Sequence, residues 1–370
     1  MLDIITIVTI LVISTYVVII GTMIYGFLKD DKTSKSLHQI SSISILLPFC
    51  NEQNSIANTI ESVLNQKTEI EFEIVAIDDF STDDSRKAVE KFAARYQQLR
   101  IVSSSKKGKK NALLSGLAVA KYNTIITIDA DCIYPLGWLT TMADLFLSKK
   151  CDLLAAPVKI DLLQTWFDKF QFVDFASLVG SGIGAAKVGY PIFCNGANLM
   201  FSKESFLKLK NPYNLDYESG DDVFLLHAIK QQKKSQIVFT ANPLTIATTQ
   251  SKPTIKDFLK QRVRWAGKTS GYTDIDALVV AAVVALTALI FCVNVVLLPF
   301  VLAPFLVIYI TKLLVDTIML LCITNVFGNK KLLIYMPIFE FFVALYTTVT
   351  LIIIAIEKLK DGCKRFGMSV

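Results

Sequence analysis

Three sets of residues in this chain could do chemistry together. Asp129 and Asp131, separated by one alanine, close the run Asn123-Thr-Ile-Ile-Thr-Ile-Asp-Ala-Asp131. Residues two apart in an extended backbone point the same way, so both carboxylates can converge on one charged object. Hard oxygen donors of this kind suit a divalent cation bridging phosphate oxygens. Asp78 and Asp79 open a second acidic loop, Asp78-Asp-Phe-Ser-Thr-Asp83, able to accept hydrogen bonds from a base N–H and ribose hydroxyls. Lys109 follows Gly108 at the start of a helix, where it could face phosphate. Each set has a plainer reading, as a strand-end turn, solvated turn acids or a basic surface loop.

The surrounding elements bear on that choice. Ile125 to Ile128 form a β-branched run without polar alternation, which suits a strand buried on both faces of a parallel sheet. Similar runs precede the other loops: Ser44 to Pro48 before Asn51 and Glu52, Glu73 to Ile77 before Asp78, and Leu99 to Val102 before the basic stretch Lys106–Lys110. Helical patterns over 55–66, 84–97 and 111–120 alternate with them, predicting a doubly wound α/β sheet. Ligands of such sheets sit beyond the carboxyl ends of the strands. All three sets fall there.

Composition bounds the rest. The chain has 370 residues, 53% hydrophobic, with a mean hydropathy of +0.49, too apolar for an ordinary soluble protein. Uncharged runs at 4–28 and 277–356 carry the excess. Residues 4–28 are long enough to span a bilayer core. Lys29, Lys32 and Lys35 follow that run, which puts the N-terminus outside and the next domain in the cytoplasm. The division expected is an anchor at 1–28, a linker at 29–42, a catalytic domain at 43–275, a membrane region at 276–356 and a basic tail at 357–370. A net charge of +6 fits an anionic substrate or lipid surface and is too weak to argue for nucleic acid. Seven scattered cysteines without a CxxC pair argue for reduced thiols and against zinc. With two histidines, His38 and His227, a histidine metal site or a Ser-His-Asp triad is disfavoured. No G-x-G-x-x-G or P-loop pattern occurs.

The order of Pro48-Phe-Cys-Asn-Glu52, Ala76-Ile-Asp-Asp-Phe-Ser-Thr-Asp83, Gly108-Lys-Lys-Asn-Ala-Leu113 and Ile128-Asp-Ala-Asp131 resembles the family-2 glycosyltransferases with a GT-A nucleotide-diphospho-sugar fold. Cys194-Asn-Gly-Ala-Asn-Leu199 looks like the family's acceptor-side segment, and Ser219-Gly-Asp-Asp-Val223 stands at its catalytic pair. Gln261-Arg-Val-Arg-Trp265 is a complete Q-x-x-R-W, as in cellulose, chitin, hyaluronan and poly-N-acetylglucosamine synthases and ceramide glucosyltransferases. The resemblance covers residues 43–270 and implies a Rossmann-like, mostly parallel sheet.

It also implies roles. Pro48, Asn51, Glu52, Asp78 and Asp79 would lie at the nucleotide, the last two at uracil and ribose. Lys109 would lie near the diphosphate, Asp129 would touch the nucleotide, and Asp131 would take the metal, Mg2+ or Mn2+. Asp222 would be the general base, with Asp221 standing where many relatives carry Glu. Gln261 belongs to the same site; Arg264 would face diphosphate, and Trp265 would stack on the acceptor. An inverting displacement needs such a base and a stabilised leaving group. Asp222 starts a helix pattern running to Gln231, whose positive end keeps a carboxylate ionised; a plain N-cap is the bland alternative.

Two helices outside the loops carry their own expectations. Leu162, Trp166, Phe170 and Val173 share a face expected to pack on the sheet, and Gly180, Gly182, Gly184 and Gly189 read as a flexible turn. Residues 254–268 read as an amphipathic interfacial helix, with Lys256, Lys260, Arg262, Arg264 and Lys268 on the basic side. Beyond it, spans are expected at 277–298, 299–326 and 332–356, with Lys312 and Asp316 placed to pair one turn apart. Three spans leave the tail outside, whereas Lys358, Lys360, Lys364 and Arg365 argue for inside. Pro337 and Glu340 make 332–345 the candidate re-entrant segment.

The reading is therefore a membrane-bound inverting glycosyltransferase of the bacterial plasma membrane. It would move a sugar from a nucleotide-sugar, a UDP-sugar first, to a polysaccharide or lipid-linked acceptor at the cytoplasmic face. Membrane lipids are implied partners, and further subunits are open. The alternative is a non-catalytic scaffold that keeps a degenerate transferase fold, against which stand the acids needed for turnover.

Overall fold

A computed structural model describes residues 2–29, 42–161, 163–232 and 235–365. Residues 30–41 of the expected linker and 366–370 of the basic tail lie outside the described residues, as does Leu162. In chain order the elements are α1 (Leu2–Leu28), β1 (Ser42–Phe49), α2 (Ile56–Leu64), β2 (Glu71–Asp78), α3 (Ser85–Ala93), β3 (Leu99–Ser103) and α4 (Lys109–Val119). Next come β4 (Thr124–Ile128), α5 (Trp138–Ser148), β5 (Leu153–Ala155), β6 (Val158–Asp161), α6 (Trp166–Lys187) and β7 (Asn198–Ser202). Then follow α7 (Lys203–Leu207), α8 (Asp221–Lys230), β8 (Ile237–Phe239), β9 (Ala247–Gln250) and α9 (Ile255–Gly267). The last three are α10 (Ile275–Val296), α11 (Leu302–Phe327) and α12 (Met336–Arg365). They form two units.

The sheet unit comprises Leu28–Leu163 and Ala185–Ser251. Its seven strands run in the order β3-β2-β1-β4-β7-β5-β8. β3, β2, β1 and β4 are mutually parallel, as the alternation of strand and helix predicts, while β7 runs antiparallel to both β4 and β5. A short parallel pair, β6 and β9, lies apart from this sheet. Ile45, Leu46 and Leu47 of β1, Ile74 to Ile77 of β2, and Ile125, Ile126 and Ile128 of β4 are all buried. Each such aliphatic chain contributes about 1.5–3 kcal/mol by leaving water, so the continuous apolar runs become the centre of the sheet. Its polar loops are left at the rim.

The helical unit comprises Met1–Phe27, Gln164–Gly184 and Lys252–Val370. The described residues hold four helices long and apolar enough to cross a membrane: 3–28, 275–296, 302–327 and 330–359. Of the candidate re-entrant segment 332–345, residues 332–335 lie in a 3-10 turn and the rest in α12, which runs unbroken from Met336 through Glu340. Pro337 stands in its first turn, where a missing N–H costs little.

The aromatic face of α6 packs on helices of its own unit. Trp166 meets Phe339 and Phe342 edge-on, Phe170 meets Phe258 and Phe339, and Phe175 lies 6.0 Å from Trp265. The glycines read as a turn also belong elsewhere: Gly180, Gly182 and Gly184 lie within α6, and only Gly189, with φ +93°, lies in a turn. Gly184 permits a close approach, since a Cβ there would meet the backbone oxygen of Met23 at 2.1 Å. Small residues at helix crossings serve this end in membranes.

Candidate active site

Because β1, β2 and β4 are parallel, their carboxyl ends open on one edge, carrying the loops 50–55 and 79–84 and Asp129–Asp131 with them. The reversed β7 brings its amino end to that same edge, pairing Asn198 with Ile128. Gly196 therefore arrives from a segment distant in sequence.

Several sequence-predicted residues build the loops. Asn51 adopts a left-handed conformation (φ 58°), and its Oδ1 accepts from the Thr82 N–H at 2.8 Å. Glu52 Oε2 accepts from the Ser55 hydroxyl at 2.7 Å. Asp78 accepts from the Ser81 N–H at 2.9 Å and pairs with Arg86 at 3.2 Å. Pro48 lies within β1 beside Ile77. Asp79 accepts from the Gly108 N–H at 2.7 Å, which joins the acidic loop to the start of α4.

Lys109 links the next three acids. Its Nζ lies 2.6 Å from Asp129 Oδ1 and 3.5 Å from Asp221 Oδ2, with 35% of its side chain exposed. Burial alone would lower its pKa, but Asp129 and Asp221, with Asp222 behind them, hold it well above the ordinary lysine value. The Thr59 hydroxyl donates to the Ala130 carbonyl at 2.9 Å, which holds the turn between Asp129 and Asp131 from α2. Asp131 is half-buried, with Cys132 Sγ 3.6 Å from its Oδ1.

Asp221 and Asp222 occupy the first turn of α8, one residue earlier than the periodicity suggests; Gly220 is the N-cap, at φ 92°. Asp222 is thus not the cap itself. Its Oδ2 accepts from the Gly196 N–H at 3.3 Å. A Cβ at Gly196 would lie 2.9 Å from Asp221 Oδ2 and 3.4 Å from Asp222 Cβ, so only glycine leaves this pair undisturbed. Thr127 donates to the Gly196 carbonyl at 2.8 Å, and Tyr134 to that of Ala197 at 2.7 Å. This role of Gly196 within the Asn195-Gly-Ala segment is not visible in the sequence pattern. The glycine was the available signal; its partner lay beyond local pattern.

The edge thus gathers Asp79, Lys109, Asp129, Asp221 and Asp222 through one chain of contacts, with Asp131 beside Asp129 in the same turn. Among the described residues no group of three or more His, Cys, Asp or Glu side chains is arranged to hold a metal ion. Asp129 and Asp131 supply two hard oxygen donors. Such a partial set fits Mg2+ or Mn2+ when substrate phosphates and water complete the shell.

Gln261, Arg264 and Trp265 belong to the helical unit, on α9. Arg262, expected on the exposed basic face, is buried: it pairs with Asp174 and lies 4.4 Å from the Trp265 ring centre. The side chain turns inward because Asp174 and the aromatic rings of Phe258 and Trp265 offer a paired, stacked seat that solvent does not. Six described cysteines are free thiols.

Comparison with known proteins gives these features a lineage. Residues 44–206 match the model for Glycosyl transferase family 2. A poly-beta-1,6-N-acetyl-D-glucosamine synthase of Staphylococcus epidermidis is 26% identical over 257 residues, covering 67% of this chain and 61% of the relative. A synthase of the same name from Staphylococcus aureus (strain MSSA476) is 24% identical over 258 residues. The chain therefore matches these relatives over 61% of their length. A mannosyltransferase from Pyrobaculum calidifontis, solved in complex with GDP-Man and Mn2+, shares the fold. Its TM-score is 0.61 over 98% of this chain and 99% of that one, at 13% identity. Residues 44–206 are thus similar to the family-2 glycosyltransferases, and the sheet has the Rossmann-like GT-A fold, in a chain with long apolar helices at both ends.

Proposed function

We propose that this chain is a membrane-bound, inverting glycosyltransferase. It transfers a sugar from a nucleotide-sugar to a hydroxyl of a growing polysaccharide or a lipid-linked acceptor, at the cytoplasmic face of the membrane. The observation that carries this reading is the single edge on which Asp79, Lys109, Asp129 and the Asp221–Asp222 pair are joined. In this reading Asp79 binds the nucleoside and Lys109 turns its ammonium to the departing diphosphate. Asp222 removes the proton from the acceptor hydroxyl as that oxygen attacks the anomeric carbon. The Gly196 N–H keeps the Asp222 carboxylate oriented for that transfer. Asp129 and Asp131 would hold Mg2+ or Mn2+, which when bound neutralises the leaving diphosphate.

The names of the relatives favour UDP-N-acetylglucosamine as the first donor to test and a polymer as the product. Purified full-length protein in nanodiscs, given labelled UDP-N-acetylglucosamine or GDP-mannose with Mg2+ or Mn2+, tests the reading by product sizing. Long polymer supports processive synthesis, and a singly glycosylated lipid supports one transfer. The reading is overturned if the protein binds no nucleotide-sugar, or if Asp222→Asn leaves transfer unchanged.

A further inference from the structure

The first turn of α4 holds two consecutive lysines, although the positive end of a helix disfavours cations. The second, Lys110, is also buried, with 3% of its surface exposed, so desolvation adds to the cost. Placement this unfavourable needs compensation from what the side chain holds. Lys109 holds carboxylates; Lys110 holds backbone. Its Nζ donates to the carbonyls of Asn214 at 2.9 Å and Tyr217 at 2.7 Å, and lies 4.5 Å from the Phe224 ring centre in α8.

The segment so gripped leads directly into Asp221 and Asp222. It is irregular, with Asn211, Asn214 and Gly220 at φ 47°, 45° and 92°. It lies outside the strand ladders and is held by local turns, with Asn214 N–H on the Asn211 carbonyl at 3.1 Å and Tyr217 N–H on the Asn214 carbonyl at 3.2 Å, to which Lys110 adds a charged donor from another element. Tyr217 leans on Phe224 with ring centres 5.6 Å apart, which couples the segment to α8.

We propose that Lys110 is a positioning residue. It fixes segment 211–220 and the first turn of α8, so that the Asp221–Asp222 pair keeps its place beside Lys109 and Gly196. Neighbouring lysines bracket the acidic pair from two sides, one through its carboxylate and one through the backbone that delivers it. The catalytic half of this inference rests on the proposed transfer reaction; the tether itself does not.

Hydrogen–deuterium exchange and transfer kinetics on the full-length protein test the two halves separately. Lys110→Met should raise amide exchange across 211–222 by about tenfold or more while β1 and β4 stay protected. It should lower kcat about 10–100-fold with donor KM nearly unchanged, as expected for a misplaced base, and Lys110→Arg should recover part of both. Unchanged exchange in 211–222 overturns the tether. Faster exchange with unchanged kcat overturns the positioning role. Loss of protection throughout the sheet in both Lys110→Met and Lys110→Gln marks a core residue only and also overturns it. Should the wild-type protein transfer no sugar, the proposed reaction fails, and exchange alone decides the tether.

Discussion

Two clusters in this molecule have the same ingredients and opposite surroundings. At the sheet edge Lys109 is shared by Asp129 and Asp221; in the helical unit Lys312 is shared by Asp316, at 2.5 Å, and Glu340. The first lysine side chain keeps 35% of its surface exposed and the second 6%, with Glu340 at 2%. The Tyr16 hydroxyl donates to Asp316 at 2.6 Å, so the sealed cluster ties α1, α11 and α12 together. An ion pair open to water contributes little to stability because solvent screens it, and a ligand can replace one partner. A sealed pair is costly to break, since the survivor stays buried and charged. One arrangement suits exchange with a substrate, the other suits holding helices.

The contrast can be broken most forcefully at the open cluster's base. Asp222→Asn should cut transfer by about 10²–10⁴-fold in single-turnover assays, with nucleotide binding and melting temperature retained; unchanged turnover removes the base assignment. A reciprocal pair comes next. Lys109→Met should cost about 10²-fold in kcat, as expected when one charge-stabilising donor is lost, with little thermal effect. Lys312→Met should instead destabilise the helical unit by about 3–5 kcal/mol, read as loss of thermal stability in nanodiscs, with donor affinity per folded molecule unchanged. If both variants behave alike, the distinction between exchangeable and sealed clusters fails.

Gly196→Ala sharpens the comparison on a smaller scale. The new methyl meets a movable carboxylate oxygen, so the fold should tolerate it while kcat falls about tenfold from base misplacement. Smallest is the pH effect. The folded pKa of Lys109 is raised above its ordinary 10.5, so its pairing contribution is complete below that value and fades only as pH climbs through the higher folded one. Nucleotide affinity, followed by titration from pH 7 to 10, should therefore show no loss traceable to Lys109. A fall that Lys109→Met abolishes would contradict the assignment.

Much of this was legible in order and spacing. Apolar runs ending in acids mark β1, β2 and β4, and parallel pairing makes their loops neighbours whatever the details. The Lys312–Asp316 pair follows from one helical turn of spacing and was found as expected. Local pattern could not say which lysine of a basic run turns inward, or that Arg262 leaves the basic face for Asp174. Nor could it tell the α6 glycines from a turn, because the reason for Gly184 is the backbone of Met23, far away in the chain.

Local pattern was enough for β1 to β4, the helices between them and the edge of the sheet where acids collect, because periodicity and strand ends are properties of short stretches. Which charges meet was settled by packing. The reversed direction of β7 delivers Gly196 to Asp222, and α4 sets Lys109 and Lys110 against residues about 20 and 100 positions distant. Such contacts depend on how separate segments fill shared space and satisfy each other's buried polar groups, and no window of sequence contains both partners.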